Sequence, residues 1–138
     1  MDKATVLLSV LSTLVLPACS EEPIELRLQY YVEAQEALAA EDFARAQQAM
    51  KQLKQHVEGK LAEAVAATAG AGDIKAMRLA FRPMSDKLVK VLAVPESYAL
   101  TYCPMVEGDK KGYWIQKKGE IMNPYLGASM LHCGAFEE

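Results

Sequence analysis

The sequence predicts a mainly α-helical single domain: an up-down bundle of three or four helices, followed by a small C-terminal β-hairpin region that carries cysteine and methionine. Three observations carry this reading. Apolar residues recur at steps of three and four through most of 24–94, the signature of amphipathic helices. The breaks between those stretches are short, and short connections favour antiparallel neighbours. Beyond Pro95 the period drops to two, the spacing of a strand. A chain of 138 residues matches one domain. Aromatics make up 7% and Ala fills much of the middle, so the expected core is small side chains between close helices. The formal charge is −3 and no basic stripe is present, so no nucleic-acid partner is expected.

Residues 1–18 read as a leader. The run from Ala4 to Ala18 carries no charge, Lys3 precedes it, and Cys19-Ser20-Glu21-Glu22 follows. That is a short n-region, an apolar h-region and a small-residue cleavage site. It is too short for a comfortable membrane-spanning helix of about 20 residues. Leu16-Pro17-Ala18-Cys19 resembles the lipobox of bacterial lipoproteins, whose cysteine is lipidated and becomes the first mature residue. Pro17 departs from the usual small residue there, and Asp2 weakens the n-region. The resemblance implies membrane attachment through a lipid on Cys19, a tether over 19–23 and one domain over 24–138. Ser20 after the cysteine implies sorting to the outer membrane, facing the periplasm. A plain secretory signal or a buried core helix is the alternative. An exported chain works in an oxidising compartment.

The bundle occupies 24–94. Pro23 suits a first helical position, and Ile24, Leu28, Tyr31, Val32 and Leu38 mark helix one over 24–39. Glu41 and Asp42 place negative charge at the next helix start. Phe43, Ala46, Met50, Leu53, Val57 and Leu61 form the cleanest amphipathic stripe. Gly59 ends that helix, or the Ala-rich run 60–69 continues it or forms a third. Gly70-Ala71-Gly72 is a break. Asp73 is a good N-cap for a stripe of Ile74, Met77, Phe81, Met84, Leu88 and Val91. Pro83 falls inside it and crowds the Leu79 carbonyl, which predicts a kink or a break. Pro95 is the expected end. Met50, Met77 and Met84 read as core gap-fillers, and His56 as a solvated residue of helix two.

The C-terminal region covers 95–138. Tyr98, Leu100 and Tyr102 alternate with Ala99, Thr101 and Cys103, a short strand. Glu107 to Gly112 reads as a polar turn, Tyr113-Trp114-Ile115-Gln116 as the return strand, and Lys117-Lys118-Gly119 as a second turn. Asn123-Pro124-Tyr125-Leu126-Gly127 is a rigid loop. Residues 128–133 suit a last helical turn or a strand equally well.

This region holds two of the three cysteines and three of the seven methionines. Thiolates and thioethers are soft donors that select ions such as Cu(I) over Mg, Ca or Mn. Cys103 and Met105 are two apart, on one side of an extended backbone. Met130 and Cys133 are three apart, neighbours on a helix. Folding the hairpin would gather the four into one metal site. The competing reading is a Cys103–Cys133 disulfide, closing a loop of about 30 residues and stabilising by roughly 3–4 kcal/mol on the chain-entropy account. Trp114 reads as a packing residue.

Cys103-Pro104-Met105, then Tyr113-Trp114, then Ile121-x-Asn123-Pro124-Tyr125-x-Gly127-x-x-Met130-x-x-Cys133-Gly134 resembles a bacterial exported domain of unknown function. This domain, of the DUF3347 type, occurs alone in lipoproteins and fused to periplasmic adaptor subunits of copper/silver efflux pumps. The resemblance implies handling of Cu(I) or Ag(I) on Cys103, Met105, Met130 and Cys133. The implied partner is an efflux adaptor or a periplasmic metallochaperone. Asn123, Pro124, Tyr125, Gly127 and Gly134 match its structural positions. Met122 lies off the motif and stands as an extra thioether, with His132 as an extra imidazole.

No enzyme is expected. The chain lacks G-x-S-x-G, H-E-x-x-H and a phosphate-cradling glycine loop. It also lacks a C-x-x-C redox motif, and His56 and His132 make no obvious catalytic pair.

Overall fold

The computed structural model describes residues 25–108 and 110–138. The expected leader 1–18, the lipidation at Cys19 and the helix-starting Pro23 lie outside the described residues. What is described is mainly α: four helices and a small three-stranded antiparallel sheet.

Helix α1 spans Leu26–Ala39 and buries Leu28, Tyr31, Val32, Gln35 and Leu38. Its start falls after Glu25, which has an extended backbone, rather than at 24. Helix α2 spans Phe43–Lys54, where the Asp42 carboxylate accepts from the Arg45 N–H at 3.0 Å. That bond satisfies one of the helix's unpaired first-turn donors. Helix α3 spans Gly59–Ala69, so the Ala-rich run is a separate helix. Gly59 has φ +58°, a left-handed turn that suits glycine and re-aims the chain between α2 and α3. His56 therefore lies past the end of α2, exposed, with its ring stacked on Tyr30 at 5.5 Å.

Helix α4 spans Ile74–Leu88, capped by Asp73, whose side chain accepts from the Ala76 N–H at 2.7 Å. The break expected at Pro83 does not occur, and the helix runs through it. Pro83 deprives the Leu79 carbonyl of its partner, but Leu79 is 67% exposed, so water can take that role. Phe81, Met84 and Leu88 are buried on both sides of the proline and hold the two halves in one core. Pro95 does not end the helix either: α4 stops at Leu88, Val91 is exposed, and Leu92 is the residue that turns back into the core.

Strand β1 spans Tyr98–Glu107, longer than the alternation suggested, and β2 spans Lys110–Lys117. The register runs from Tyr98 opposite Lys117 to Cys103 opposite Gly112. The turn between them is tighter than the expected 107–112 and passes through Gly108 at φ +58°. Strand β3, Ala135–Phe136, adds to the other edge of β1. Of residues 128–133, only the first two are helical and none is a strand. A 3-10 turn at Gly127–Ser129 is followed by irregular chain.

Consecutive helices pack on one another, and α1 and α4 both pack on β2. An aromatic series links the layers. Tyr31 of α1 stacks on Phe81 of α4 at 5.5 Å, Phe81 meets the edge of Tyr125 at 5.7 Å, and Tyr125 meets Trp114 of β2 at 5.9 Å. Polar groups follow the same route. The Ser85 hydroxyl donates to the Tyr113 carbonyl at 2.7 Å, so its oxygen must accept from Tyr31, 2.6 Å away. The Tyr31 oxygen in turn accepts from the Ile115 N–H at 3.2 Å. Met50, Met77 and Met84 are fully buried, as their spacing predicts.

Candidate functional site

Cys103 stands on the buried side of β1 in line with Ala99 and Thr101, opposite Gly112. The ladder breaks at the next residue. Pro104 has no N–H to donate, and the register shifts between Cys103 and Glu107. The freed Met105 N–H donates instead to the Cys103 sulfur at 3.4 Å. Cys103 is fully buried whereas Met105 is 59% exposed, so the two-residue alternation does not carry across this irregularity.

Cys133 is placed by the returning loop. Asn123 is fully buried and organises that loop with one side chain. Its Nδ2 donates to the Cys133 carbonyl at 2.9 Å. Its Oδ1 accepts from the N–H groups of Tyr125 at 2.9 Å and Leu126 at 3.0 Å. The Cys133 N–H donates to the Met130 carbonyl at 3.1 Å, a turn rather than a helix. Gly134 then passes over the sheet at φ +146°. A Cβ there would lie 2.8 Å from the Tyr102 carbonyl and 2.9 Å from Trp114. β3 pairs Ala135 with Tyr102, so the next rung sets Gly134 across from Cys103, with Cys133 beside it.

The outcome is a pair of thiols 2.7 Å apart, Cys103 buried and Cys133 half-buried. The hydrogen bond to Cys103, then burial, pushes the Cys133 thiol up to about 11. An ion with metal–sulfur bonds near 2.3 Å needs two thiolates about 3.8 Å apart at a tetrahedral angle. Holding such an ion would require the thiols to deprotonate and separate by roughly 1 Å. Direct bonding of the sulfurs requires only a slight approach.

Of the other sulfur residues singled out by sequence, Met130 is 41% exposed, and Met122 is half-buried. Both backbone polar groups of Met122 are engaged, its N–H by Gln116 and its carbonyl by Gln35. His132 is exposed and its Nδ1 lies 2.8 Å from the Ile121 carbonyl. The donor set is soft, which fits a soft monovalent ion. Among the described residues no group of three or more His, Cys, Asp and Glu side chains is placed to hold a metal.

The loop is clamped to the helices by Arg78, which the sequence reading did not single out, and by Glu41, which it read only as charge at a helix start. Arg78 of α4 donates to the Pro124 carbonyl at 3.0 Å, the Leu38 carbonyl at 2.7 Å and the Glu41 carboxylate at 2.9 Å. That same carboxylate oxygen accepts from the Ala128 N–H at 2.9 Å. The Arg78 bond and then the Ala128 bond hold the Glu41 carboxyl below the usual carboxylate range. Gly127, at φ +53°, leaves the space that this pair fills: a Cβ there would lie 2.1 Å from both side chains. Tyr125 donates its hydroxyl to the Tyr113 carbonyl. Only the paired charges Arg78 and Glu41 are visible in sequence, and they lie too far apart to be matched there.

Comparison with family models, curated proteins and solved structures finds no match to this chain. Among the described residues no helix is long and apolar enough to cross a membrane.

Proposed function

We propose that this is an exported, lipid-anchored domain that binds Cu(I) or Ag(I) through sulfur, buffers the ion in the periplasm and passes it to an efflux adaptor or a metallochaperone. The observation that carries the reading is the meeting of Cys103 and Cys133. Buried methionine is ordinary packing, whereas Met105 and Met130 are exposed and lie two and three residues from the thiols in sequence, and we assign them as the weak, accessible donors. Transfer is ligand exchange: an incoming partner's thioethers replace Met105 and Met130 before the thiolates release the ion. The helices, read as an up-down bundle, support the Cys/Met hairpin and take no part in the chemistry. No reacting group of an enzyme is required.

The 2.7 Å sulfur separation favours a second reading, in which Cys103 and Cys133 form a disulfide that staples the hairpin region. The two thiols give up two protons and two electrons to the disulfide of an exported thiol oxidase, which leaves as a dithiol. The staple is either the resting form of the metal site or the purpose of the pair.

Native mass spectrometry with a thiol count, on exported protein beginning at Ser20, separates the readings. Two reactive thiols and one copper per chain, lost in Cys103→Ser and in Cys133→Ser, are expected. A mass lower by two hydrogens, with no copper uptake after reduction, would leave only the staple.

A further inference from the structure

A groove of about 540 Å³ opens between α4, the end of β1 and the clamped loop. Its size lies in the range of small-molecule sites, which run from about 300 to 1,000 Å³. On α4, Lys75, Leu79 and Pro83 follow at steps of four and form one ridge, and Arg78 and Arg82 form the next. Val106 and Leu126 supply apolar surface from the opposite wall. The groove thus joins an apolar floor to a cationic side. Three cations and one carboxylate, Glu107, line it, against a net charge of −3 for the whole chain.

The cations differ in how they are occupied. Arg78 is committed to two backbone carbonyls and Glu41. Among the described residues Lys75 makes no ion pair. Arg82 pairs with Glu107, which is itself well exposed, and reaches the Lys111 carbonyl only at 3.4 Å. Its Nε–H is cut off from solvent and has no partner. That nitrogen is closed to a ligand as it is to water, so an anionic oxygen meets Arg82 through its terminal N–H groups, in competition with the exposed Glu107 carboxylate. Leu79, two-thirds exposed, has nothing apolar to cover it.

We propose that this groove is a binding site for a small anionic amphiphile, a carboxylate or sulfonate on an apolar body. The anion lies between Lys75 and Arg82, and the apolar body lies along Leu79, Pro83 and Val106. This site is independent of the sulfur chemistry: none of the residues that hold its ligand is a proposed metal donor.

The test is a fluorescence titration of the full chain with 8-anilinonaphthalene-1-sulfonate, followed by displacement with laurate and with dodecanol. Saturable binding at one site is expected, with laurate displacing the probe at least about tenfold better than the uncharged alcohol. Leu79→Glu and Lys75→Glu change exposed positions and should each weaken binding about tenfold while leaving the urea midpoint unchanged. Arg82→Gln should do the same where it folds. Probe binding that does not saturate, equal displacement by laurate and dodecanol, or undiminished affinity in Leu79→Glu and Lys75→Glu would each overturn the proposal.

Discussion

Replacing Asn123 by Ala should unfasten the loop that carries Cys133. Asn123 is fully buried and makes three side-chain hydrogen bonds, to the Cys133 carbonyl and to the N–H groups of Tyr125 and Leu126. Each bond contributes about 1 kcal/mol net, so the loss is about 3 kcal/mol, and more where a stranded group stays dry. For a domain of this size that lowers the melting temperature by about 12 °C. Urea denaturation of reduced protein measures the loss, and the rate of Cys103–Cys133 bonding in glutathione buffer reports whether Cys133 has drifted. Both should change together. Asn123→Asp provides the control: it keeps the two acceptor contacts but sets a carboxylate oxygen against the Cys133 carbonyl. It should therefore slow sulfur bonding while leaving the loop's own turn intact. A loss under about 1 kcal/mol in Asn123→Ala, with an unchanged bonding rate, would refute the assignment of loop and thiol placement to this one side chain.

Two further predictions concern protons. The Cys133 thiol, pushed up to about 11 by its bond to Cys103, should alkylate at pH 8 about a hundredfold more slowly than an ordinary thiol. Cys103→Ala should restore at least tenfold of that, and iodoacetamide kinetics followed by mass spectrometry would show it. Burial pushes the Tyr31 and Tyr125 hydroxyls above their ordinary range. Above pH 10 the unfolded chain releases phenolic protons that the folded chain retains, so stability falls as pH rises. Two phenols give a slope of at most about 2.7 kcal/mol per pH unit above 10. Urea midpoints at pH 9, 10 and 11 measure it, and Tyr31→Phe should halve the slope.

Much of the helical part was legible because its information is local. The buried Met50, Met77, Phe81 and Leu88 sit at three- and four-residue steps, and Asp73 caps α4 as its position predicts. The misreadings arose where tertiary packing outweighed a local rule. Pro83 weakens a helix by removing one bond, but the buried residues flanking it offset the loss. Pro95 can forbid a helix but cannot say how far upstream the chain has already turned. Pro104 likewise left its mark beyond its own position: it broke the register of β1 and separated the exposure of Cys103 from that of Met105.

The sequence by itself determined the apolar stripes of α1, α2 and α4, the Asp73 cap, the presence of the β1 and β2 strands and the residue types of the sulfur set. Each of these follows from periodicity or donor chemistry within a short window. Only the tertiary structure decided that Cys103 and Cys133, 30 positions apart, lie 2.7 Å from each other. It alone decided that Arg78 and Glu41 lock the Asn123–Gly127 loop against the helices, and that a cationic groove opens beside α4. The physical reason is range. A hydrogen bond or a thiol contact acts over about 3 Å, whereas the spacing that brings its partners together is set by how helices and sheet pack across the whole domain.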